Sequence, residues 1–161
     1  MIKKFNFLFL RLFLIGNIKH APGTVSSFVT CIIFLILINF FEMITIFFFT
    51  VVVFLYALIA INNSYKSFDS KDPQDIVIDE FIGQMLPLLA IPIYETLYPA
   101  PILLYCILAF LLFRFFDILK PFPISYIDKN TEGSLGIMMD DVVAGFFSAL
   151  VLIIGFYFFG G

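Results

Sequence analysis

Charged residues are scarce in this chain. Asp, Glu, Lys and Arg together make up 13% of its 161 residues, whereas hydrophobic residues make up 62% and the mean hydropathy is +1.09. A water-soluble domain is usually about 25% charged and about 45–50% apolar. Because a chain with so little polar side-chain surface cannot cover itself in water, an ordinary soluble fold is excluded. The sequence predicts an integral membrane protein, with a single domain covering residues 1–161.

The sequence also has few of the residues and motifs that enzymes use for covalent catalysis. The single histidine, His20, cannot provide the two that a histidine-nucleophile phosphatase uses, and neither Cys31 nor Cys106 stands in a Cys-x5-Arg arrangement. The sequence has no Asp-x-Asp, Gly-x-Ser-x-Gly or P-loop motif. It also has no zinc-site cysteine spacing and no basic stripe for nucleic acid. A metal ion with bound water is the simplest chemistry that these residues leave open.

Long apolar runs occupy most of the chain. A spanning helix needs about 20 apolar residues, and five runs predict an all-α, integral membrane helical bundle with about five spans. Before them, the segment MIKKFNFLFLRLFLIG predicts an interfacial amphipathic helix, with Lys3, Lys4 and Arg11 at the lipid headgroups. Pro87 and Pro92 predict kinks in the third run. The runs are residues 24–41, 43–61, 76–98, 102–119 and 142–159.

The charges are distributed unequally between the two sides of this five-span arrangement. All nine Lys and Arg residues lie in or next to residues 1–24, 62–79 and 118–140, which fall on one side. Ten of the twelve acids belong to the same side, and only Glu42 and Glu95 do not. Because cytoplasmic loops carry an excess of Lys and Arg, this side is predicted to be cytoplasmic. Such a charged face indicates a function beyond that of a membrane scaffold.

Two pairs of adjacent acids stand at the beginnings of apolar runs on that face. Asp79 and Glu80 lie near the start of the third run, and Asp140 and Asp141 come immediately before the fifth. Free N–H groups and the helix dipole favour carboxylates at helix N-termini, so helix capping is one interpretation. Four carboxylates brought together by helix packing would instead need a cation, and oxygen ligands suit Mg²⁺. The doubled pairs favour the metal interpretation.

Two glycines follow these acids at the same spacing. Gly83 stands four residues after Asp79, and Gly145 stands four residues after Asp141. Small residues at such spacing let two membrane helices approach closely. The spacing is compatible both with packing alone and with helices that bring the acid pairs together.

Basic and hydroxyl side chains on the same face could bind an anion. Arg114, Asp117 and Lys120 stand at three-residue intervals near the end of the fourth run. An ion pair between the first two, or a phosphate clamp made by the two basic residues, would explain them. Thr24 and Ser27 follow a Pro-Gly turn, where hydroxyl and N–H groups serve as a helix cap or as an anion site. Spacing alone leaves these alternatives open.

Four blocks of sequence hold nearly all of these residues. They are PGTVSS, IVIDEFIGQ, FRFFDILKPFPI with Asp128 after it, and GSLGIMMDDVVAG. Their order and spacing from Pro22 to Gly145 resemble the phosphatidylglycerophosphatase A family of bacterial membrane lipid phosphatases. The family usually has glycine where Ser26 and Ser134 stand, so the detailed shape of those loops is left open.

The resemblance implies removal of the terminal phosphate of phosphatidylglycerophosphate, giving phosphatidylglycerol, with Mg²⁺ as cofactor. It implies an enzyme of the bacterial inner membrane whose active face is cytoplasmic. Its partner is the lipid, with no nucleic acid and no obligatory protein partner. One carboxylate is expected to act as general base on a water, and Asp128 to orient a ligand. The expected metal ligands are Asp79, Glu80, Asp117, Asp140 and Asp141; the catalytic carboxylates are Asp79, Glu80, Asp140 and Asp141; the phosphate-binding residues are Thr24, Ser27, Arg114 and Lys120.

Two other functions fit part of the pattern. A phosphatidyltransferase also uses a carboxylate-bound metal on a lipid headgroup, but its Asp-Gly-x2-Ala-Arg pattern is missing from the sequence. A divalent-cation transporter would need acids near the middle of the membrane, whereas these acids stand at the ends of runs. Release of inorganic phosphate distinguishes a phosphatase from both.

Overall fold

Helices make up all the regular structure of the described residues. The structure, a computed structural model, describes residues 2–64 and 75–159. Lys66 and Lys71, which contribute to the predicted cytoplasmic charge, lie outside them. The all-α class predicted from the apolar runs is confirmed. The elements are α1 (Ile2–Leu10), a 3₁₀ helix (Ile15–Asn17), α2 (Pro22–Leu37), α3 (Met43–Ser64), α4 (Ile78–Leu89), α5 (Ile91–Leu97), α6 (Ile102–Leu119), α7 (Ile124–Asn130) and α8 (Gly133–Phe159).

Three of the described helices, α3, α6 and α8, are long and apolar enough to cross a membrane. Helix α2 is apolar but has only 16 residues. The third predicted run forms two helices, α4 and α5, with a break at Ala90 where kinks were predicted. Pro92 lies in the first turn of α5, and in a continuous helix its ring would clash with the carbonyl of Leu88. The chain is thus a membrane protein, and its count of five spans stays a prediction.

The last helix begins earlier than its apolar run predicted. Helix α8 begins at Gly133, whose φ of 76° lies in the left-handed region that glycine readily adopts. Asp140 and Asp141 therefore lie about two turns inside the helix, beyond its unpaired N–H groups. The prediction that they stand at a helix start is wrong, and so is capping as their explanation. Asp79 and Glu80, in contrast, do lie in the first turn of α4.

The backbones of α4 and α8 touch at a pair of glycines. A Cβ added to Gly145 would overlap the carbonyl oxygen of Gly83, and one added to Gly83 would lie 2.7 Å from the carbonyl oxygen of Asp141. Pro87 stands four residues after Gly83 and has no N–H, so that carbonyl lacks its helical donor and lies against Gly145. The close approach predicted from the glycine spacing is confirmed. It places the acids of α4 beside those of α8.

Two short helices pack onto the long ones. On α1, Asn6 is buried, and its Oδ1 accepts a hydrogen bond of 3.0 Å from the Tyr56 hydroxyl of α3. On α7, Ile124 is fully buried in a cluster with Phe113 of α6 and Ala144 of α8. The segment between α6 and α8 is therefore anchored by an apolar contact. The position of α1 on the membrane surface stays a prediction.

Candidate active site

A cavity of about 610 Å³ opens at the end of the bundle where α2 and α4 begin and α6 ends. Helix α7 and the first turns of α8 contribute the rest of its wall. Of the nine predicted site residues, eight line the cavity and Ser27 does not. Side chains predicted from four separate blocks of sequence thus meet in space. The eight are Thr24, Asp79, Glu80, Arg114, Asp117, Lys120, Asp140 and Asp141.

Three carboxylates form a cluster in this cavity. Asp79, Glu80 and Asp141 each offer one oxygen, and these oxygens all lie within 4.8 Å of one another. Asp79 and Asp141 are buried, and like charges so close together repel unless a cation lies between them. The Glu80 Oε2 atom is buried and has no hydrogen-bond partner among residues 2–64 and 75–159. A set of hard oxygen donors with an unsatisfied buried atom fits a divalent metal ion.

The first turn of α2 closes one side of this carboxylate cluster. Ala21 has a left-handed φ of 49°, and Pro22 follows it as the first residue of the helix. A Cβ added to Gly23 would overlap Glu80 Oε1, so glycine is what lets α2 approach that carboxylate. Thr24 lines the cavity beside it. The free N–H groups of a first helical turn favour an anion, and here they lie at the cavity wall.

The guanidinium of Arg114 both forms an ion pair and lines the cavity. Its Nη1 lies 2.6 Å from Asp117 Oδ2, and it also donates a hydrogen bond of 3.4 Å to Ser27 Oγ. The Ser27 hydroxyl donates in turn to the carbonyl of Gly23, at 2.9 Å. Ser27 is fully buried and lies behind Arg114, away from the cavity. The ion pair considered from the sequence is therefore present, and it leaves the guanidinium at the cavity wall.

Lys120 links α6 to α7 and α8. It ends α6 in the left-handed conformation, with a φ of 42°, and its Nζ donates to Asp128 Oδ1 and, at 2.8 Å, to Asp140 Oδ2. Burial opposes its positive charge, but the hydrogen bonds and charges of these two carboxylates outweigh that effect and raise the pKa of Lys120. The ammonium group is therefore charged at neutral pH, at the wall of the cavity.

Asp140 and Asp141 are adjacent on α8 but contact different groups. Asp141 belongs to the carboxylate cluster, whereas Asp140 contacts Lys120. Residues one apart on a helix differ by about 100° in direction, and here that rotation turns Asp140 toward Lys120 while Asp141 faces the cluster. Asp140 and Asp117 were expected as further metal ligands, but the structure places them on Lys120 and Arg114. Metal ligation by either residue stays a prediction and would require these ion pairs to rearrange.

Sequence reasoning missed several residues around the cavity. Lys19 and Lys129 line it, although no spacing pattern distinguished them. The Ser26 hydroxyl, at a position where the resembled family usually has glycine, donates a 2.7 Å hydrogen bond to the carbonyl of Val77. That bond ties α2 to the residue just before α4. The sequence shows serine at a position where the resembled family usually has glycine. It does not show that Ser26 bonds to Val77, which lies 51 residues further along the chain.

Known proteins resemble this chain over most of its length. A profile of the family described as phosphatidylglycerophosphatase A matches residues 8–156. Phosphatidylglycerophosphatase A of Haemophilus influenzae is 37% identical over 137 residues, which cover 85% of this chain and 80% of that protein. A putative phosphatidylinositol-3-phosphatase of Bacteroides thetaiotaomicron is 36% identical over 148 residues, which cover 90% of this chain and 89% of that protein. Phosphatidylglycerophosphatase A of Escherichia coli is 40% identical over 95 residues, 59% of this chain and 49% of that protein. No solved structure matches.

Proposed function

Because the chain belongs to the phosphatidylglycerophosphatase A family and is a membrane phosphatase, we propose that its substrate is phosphatidylglycerophosphate. The products are phosphatidylglycerol and inorganic phosphate. The proposed cofactor is Mg²⁺, and the reaction takes place at the cytoplasmic face of the bacterial inner membrane. The observation that carries this proposal is the meeting of a buried carboxylate cluster with Arg114 and Lys120 in one cavity.

The carboxylate cluster is the proposed metal site. Asp79, Glu80 and Asp141 would hold the ion, and its charge would offset their mutual repulsion. Mg²⁺ bound there would supply a Lewis acid for a phosphoryl oxygen and would favour the ionised form of a water. The metal also explains why the Glu80 Oε2 atom is buried without a partner in the described residues. Phosphatase activity that persists after complete removal of divalent ions would contradict this assignment.

The basic residues are the proposed binding groups for the terminal phosphate. Arg114 and Lys120 line the cavity on α6, one on each side of Asp117 in the sequence. The first turn of α2, with Thr24, adds N–H and hydroxyl donors to the same wall. Ser27 accepts from Arg114 and so orients the guanidinium from behind. Fixed cationic donors of this kind stabilise the negative charge of a transferring phosphoryl group.

Asp140 is the proposed general base. Its Oδ2 contacts Lys120, and its Oδ1 is buried without a hydrogen-bond partner in the part of the chain that is described. The contact with the Lys120 ammonium occupies Oδ2 and leaves Oδ1 as the oxygen that would take the proton. In the proposed step a water oxygen attacks phosphorus, its proton passes to Asp140 Oδ1, and the bond from phosphorus to the glycerol oxygen breaks. The glycerol oxygen takes a proton from bulk water as it leaves, and Asp140 then releases its proton to bulk water, which restores the base.

A second lipid substrate is favoured by one of the relatives. The putative phosphatidylinositol-3-phosphatase matches this chain as extensively as the phosphatidylglycerophosphatases do. The names of both relatives describe removal of a phosphate monoester from the headgroup of a phosphodiester lipid. A cavity of about 610 Å³ lies within the range of roughly 300–1,000 Å³ that is usual for small-molecule sites, so it has room for either headgroup.

Phosphate release from the purified protein tests the proposal directly. The protein in neutral detergent is given phosphatidylglycerophosphate or phosphatidylinositol 3-phosphate, with Mg²⁺ or with a chelator, and inorganic phosphate is measured. The proposal expects Mg²⁺-dependent release, faster from the first lipid. Faster release from the inositol lipid would assign the second substrate. Headgroup exchange without phosphate release would indicate a phosphatidyltransferase, and ion flux without release would indicate a transporter.

A further inference from the structure

Two lysines lie at the mouth of the cavity, outside the groups assigned above. Lys19 stands between the 3₁₀ helix and α2, and Lys129 stands in the last turn of α7. Both line the cavity and both are exposed. Neither forms an ion pair with a carboxylate among residues 2–64 and 75–159. These two side chains are called the rim lysines below.

The rim lysines differ from the other basic side chains of the cavity wall, which are paired with carboxylates. Deeper in the cavity, Arg114 pairs with Asp117, and Lys120 pairs with Asp128 and Asp140. Among the described residues, seven acidic and four basic side chains line the cavity, so its net charge is negative before any cation binds. Lys19 and Lys129 are therefore the cavity-lining cations, among the described residues, that no carboxylate pairs with, and they can attract an anionic group.

The rim lysines also lie next to large exposed apolar side chains. Ile18 immediately precedes Lys19 and is 40% exposed, while Phe122 and Tyr126, before Lys129, are 80% and 61% exposed. In a membrane protein such side chains contact lipid, whereas a lysine beside them reaches the headgroup layer. Ile118 is 67% exposed and also lines the cavity, so the cavity opens toward the lipid. The rim lysines are therefore placed at the depth of lipid phosphodiesters.

The substrate under the proposed function carries two anionic phosphates. One is the terminal monoester that is hydrolysed, and the other is the diester that joins the headgroup to the diacylglycerol. Arg114, Lys120 and the metal site account for the monoester, and none of them accounts for the diester. We propose that Lys19 and Lys129 bind the diester phosphate and so make the enzyme select lipids that carry both groups. This inference rests on the proposed function and adds a specificity site to it.

A comparison of two lipids tests the inference. Phosphatidylglycerophosphate has a diester and a terminal monoester, whereas phosphatidic acid has only the monoester. The ratio of kcat/KM for the first lipid over the second is measured for the wild type and for K19Q, K129Q and the double variant. Each lysine is expected to contribute about tenfold to this ratio, the scale of one charge-assisted hydrogen bond. The double change K19R/K129R should retain the ratio.

Matched controls separate a phosphate site from general surface charge. Lys4 is exposed on α1 and does not line the cavity, so K4Q should leave the ratio unchanged. The assay is made in neutral detergent micelles and repeated in vesicles rich in anionic lipid. A ratio that falls in both supports the inference. A fall seen only in the vesicles assigns the lysines to membrane attraction and overturns it.

Different experimental results would contradict the inference about the rim lysines and the proposed function. If the wild-type protein releases phosphate from neither lipid, the proposed function itself is wrong. If the wild type prefers phosphatidylglycerophosphate and the double variant keeps that preference, the function stands and the assignment of the rim lysines is wrong. An equal loss of activity toward both lipids would also overturn the assignment, because it would show a role that does not depend on the diester.

Discussion

Substitution of Asp141 is the most direct test of the metal hypothesis. It is buried, it shares the cluster with Asp79 and Glu80, and it also lies where α8 touches α4. Asp141→Asn keeps the shape of the side chain but removes a charged ligand. We expect the variant to insert in the membrane and to lose at least about 10³-fold in kcat, since it removes transition-state charge stabilisation.

A binding measurement should accompany the activity of Asp141→Asn. Mg²⁺ is expected to raise the thermal unfolding midpoint of the wild type, because a ligand of the folded state stabilises it, and to raise that of the variant much less. Glu95→Gln serves as the control, since Glu95 is exposed on α5 and does not line the cavity. Wild-type turnover by Asp141→Asn would exclude Asp141 as a metal ligand.

Asp140 should behave differently from its neighbour if it is the base. Asp140→Asn is expected to lower kcat by about 10²–10⁴-fold, the usual contribution of general base catalysis. Because Asp140 contacts Lys120 and lies outside the three-carboxylate cluster, the stabilisation by Mg²⁺ should persist. Loss of that stabilisation would make Asp140 a ligand, as the sequence pattern first suggested. The two asparagine variants thus separate proton transfer from metal binding.

At the scale of elements, the contact between α4 and α8 sets the position of the metal ligands. Gly145→Ala would place a Cβ against the Gly83 carbonyl and push the two helices apart. Overpacking of this kind destabilises by roughly 1–3 kcal/mol, and we expect a lower unfolding midpoint together with at least tenfold lower activity. Asp79 on α4 and Asp141 on α8 would then no longer share one ion.

Gly155 provides the control on the same helix. A Cβ added there meets nothing within 4 Å among the described residues, so Gly155→Ala has room. Alanine is the better helix former by roughly 1 kcal/mol, and the variant should be as stable as the wild type or more so. Equal effects of the two alanine changes would show that the glycine contact does not position the site.

Some of this site could be predicted from the sequence, and some could not. Asp79 and Glu80 were placed correctly in a first helical turn because they stand near the start of the third apolar run. The start of α8 was misplaced, since hydrophobicity marks where a helix enters lipid and not where its hydrogen bonding begins. The separation of Asp140 from Asp141 depends on the rotation of α8 against α4. Long-range packing fixes that rotation, so local spacing could not reveal it.

At the scale of the whole molecule, the distribution of charge predicts one orientation in the membrane. The cysteines Cys31 and Cys106 are buried, so a single cysteine introduced elsewhere can be labelled selectively. We expect Lys19→Cys to react with an impermeant maleimide only from the cytoplasmic side, and Glu95→Cys only from the opposite side. The measurement is made on intact cells and on inverted vesicles. Labelling of both positions from the same side would contradict the predicted topology.

The exposure of Ile118 in the cavity wall affects which substrate concentration determines the reaction rate. This residue is both cavity-lining and largely exposed on a helix long enough to cross the membrane, so we expect the site to be open sideways to the bilayer. A substrate that enters this way arrives by diffusion within the plane of the membrane and never passes through water. Encounter then depends on the surface mole fraction of the lipid, and adding inert lipid at constant bulk concentration should slow the reaction.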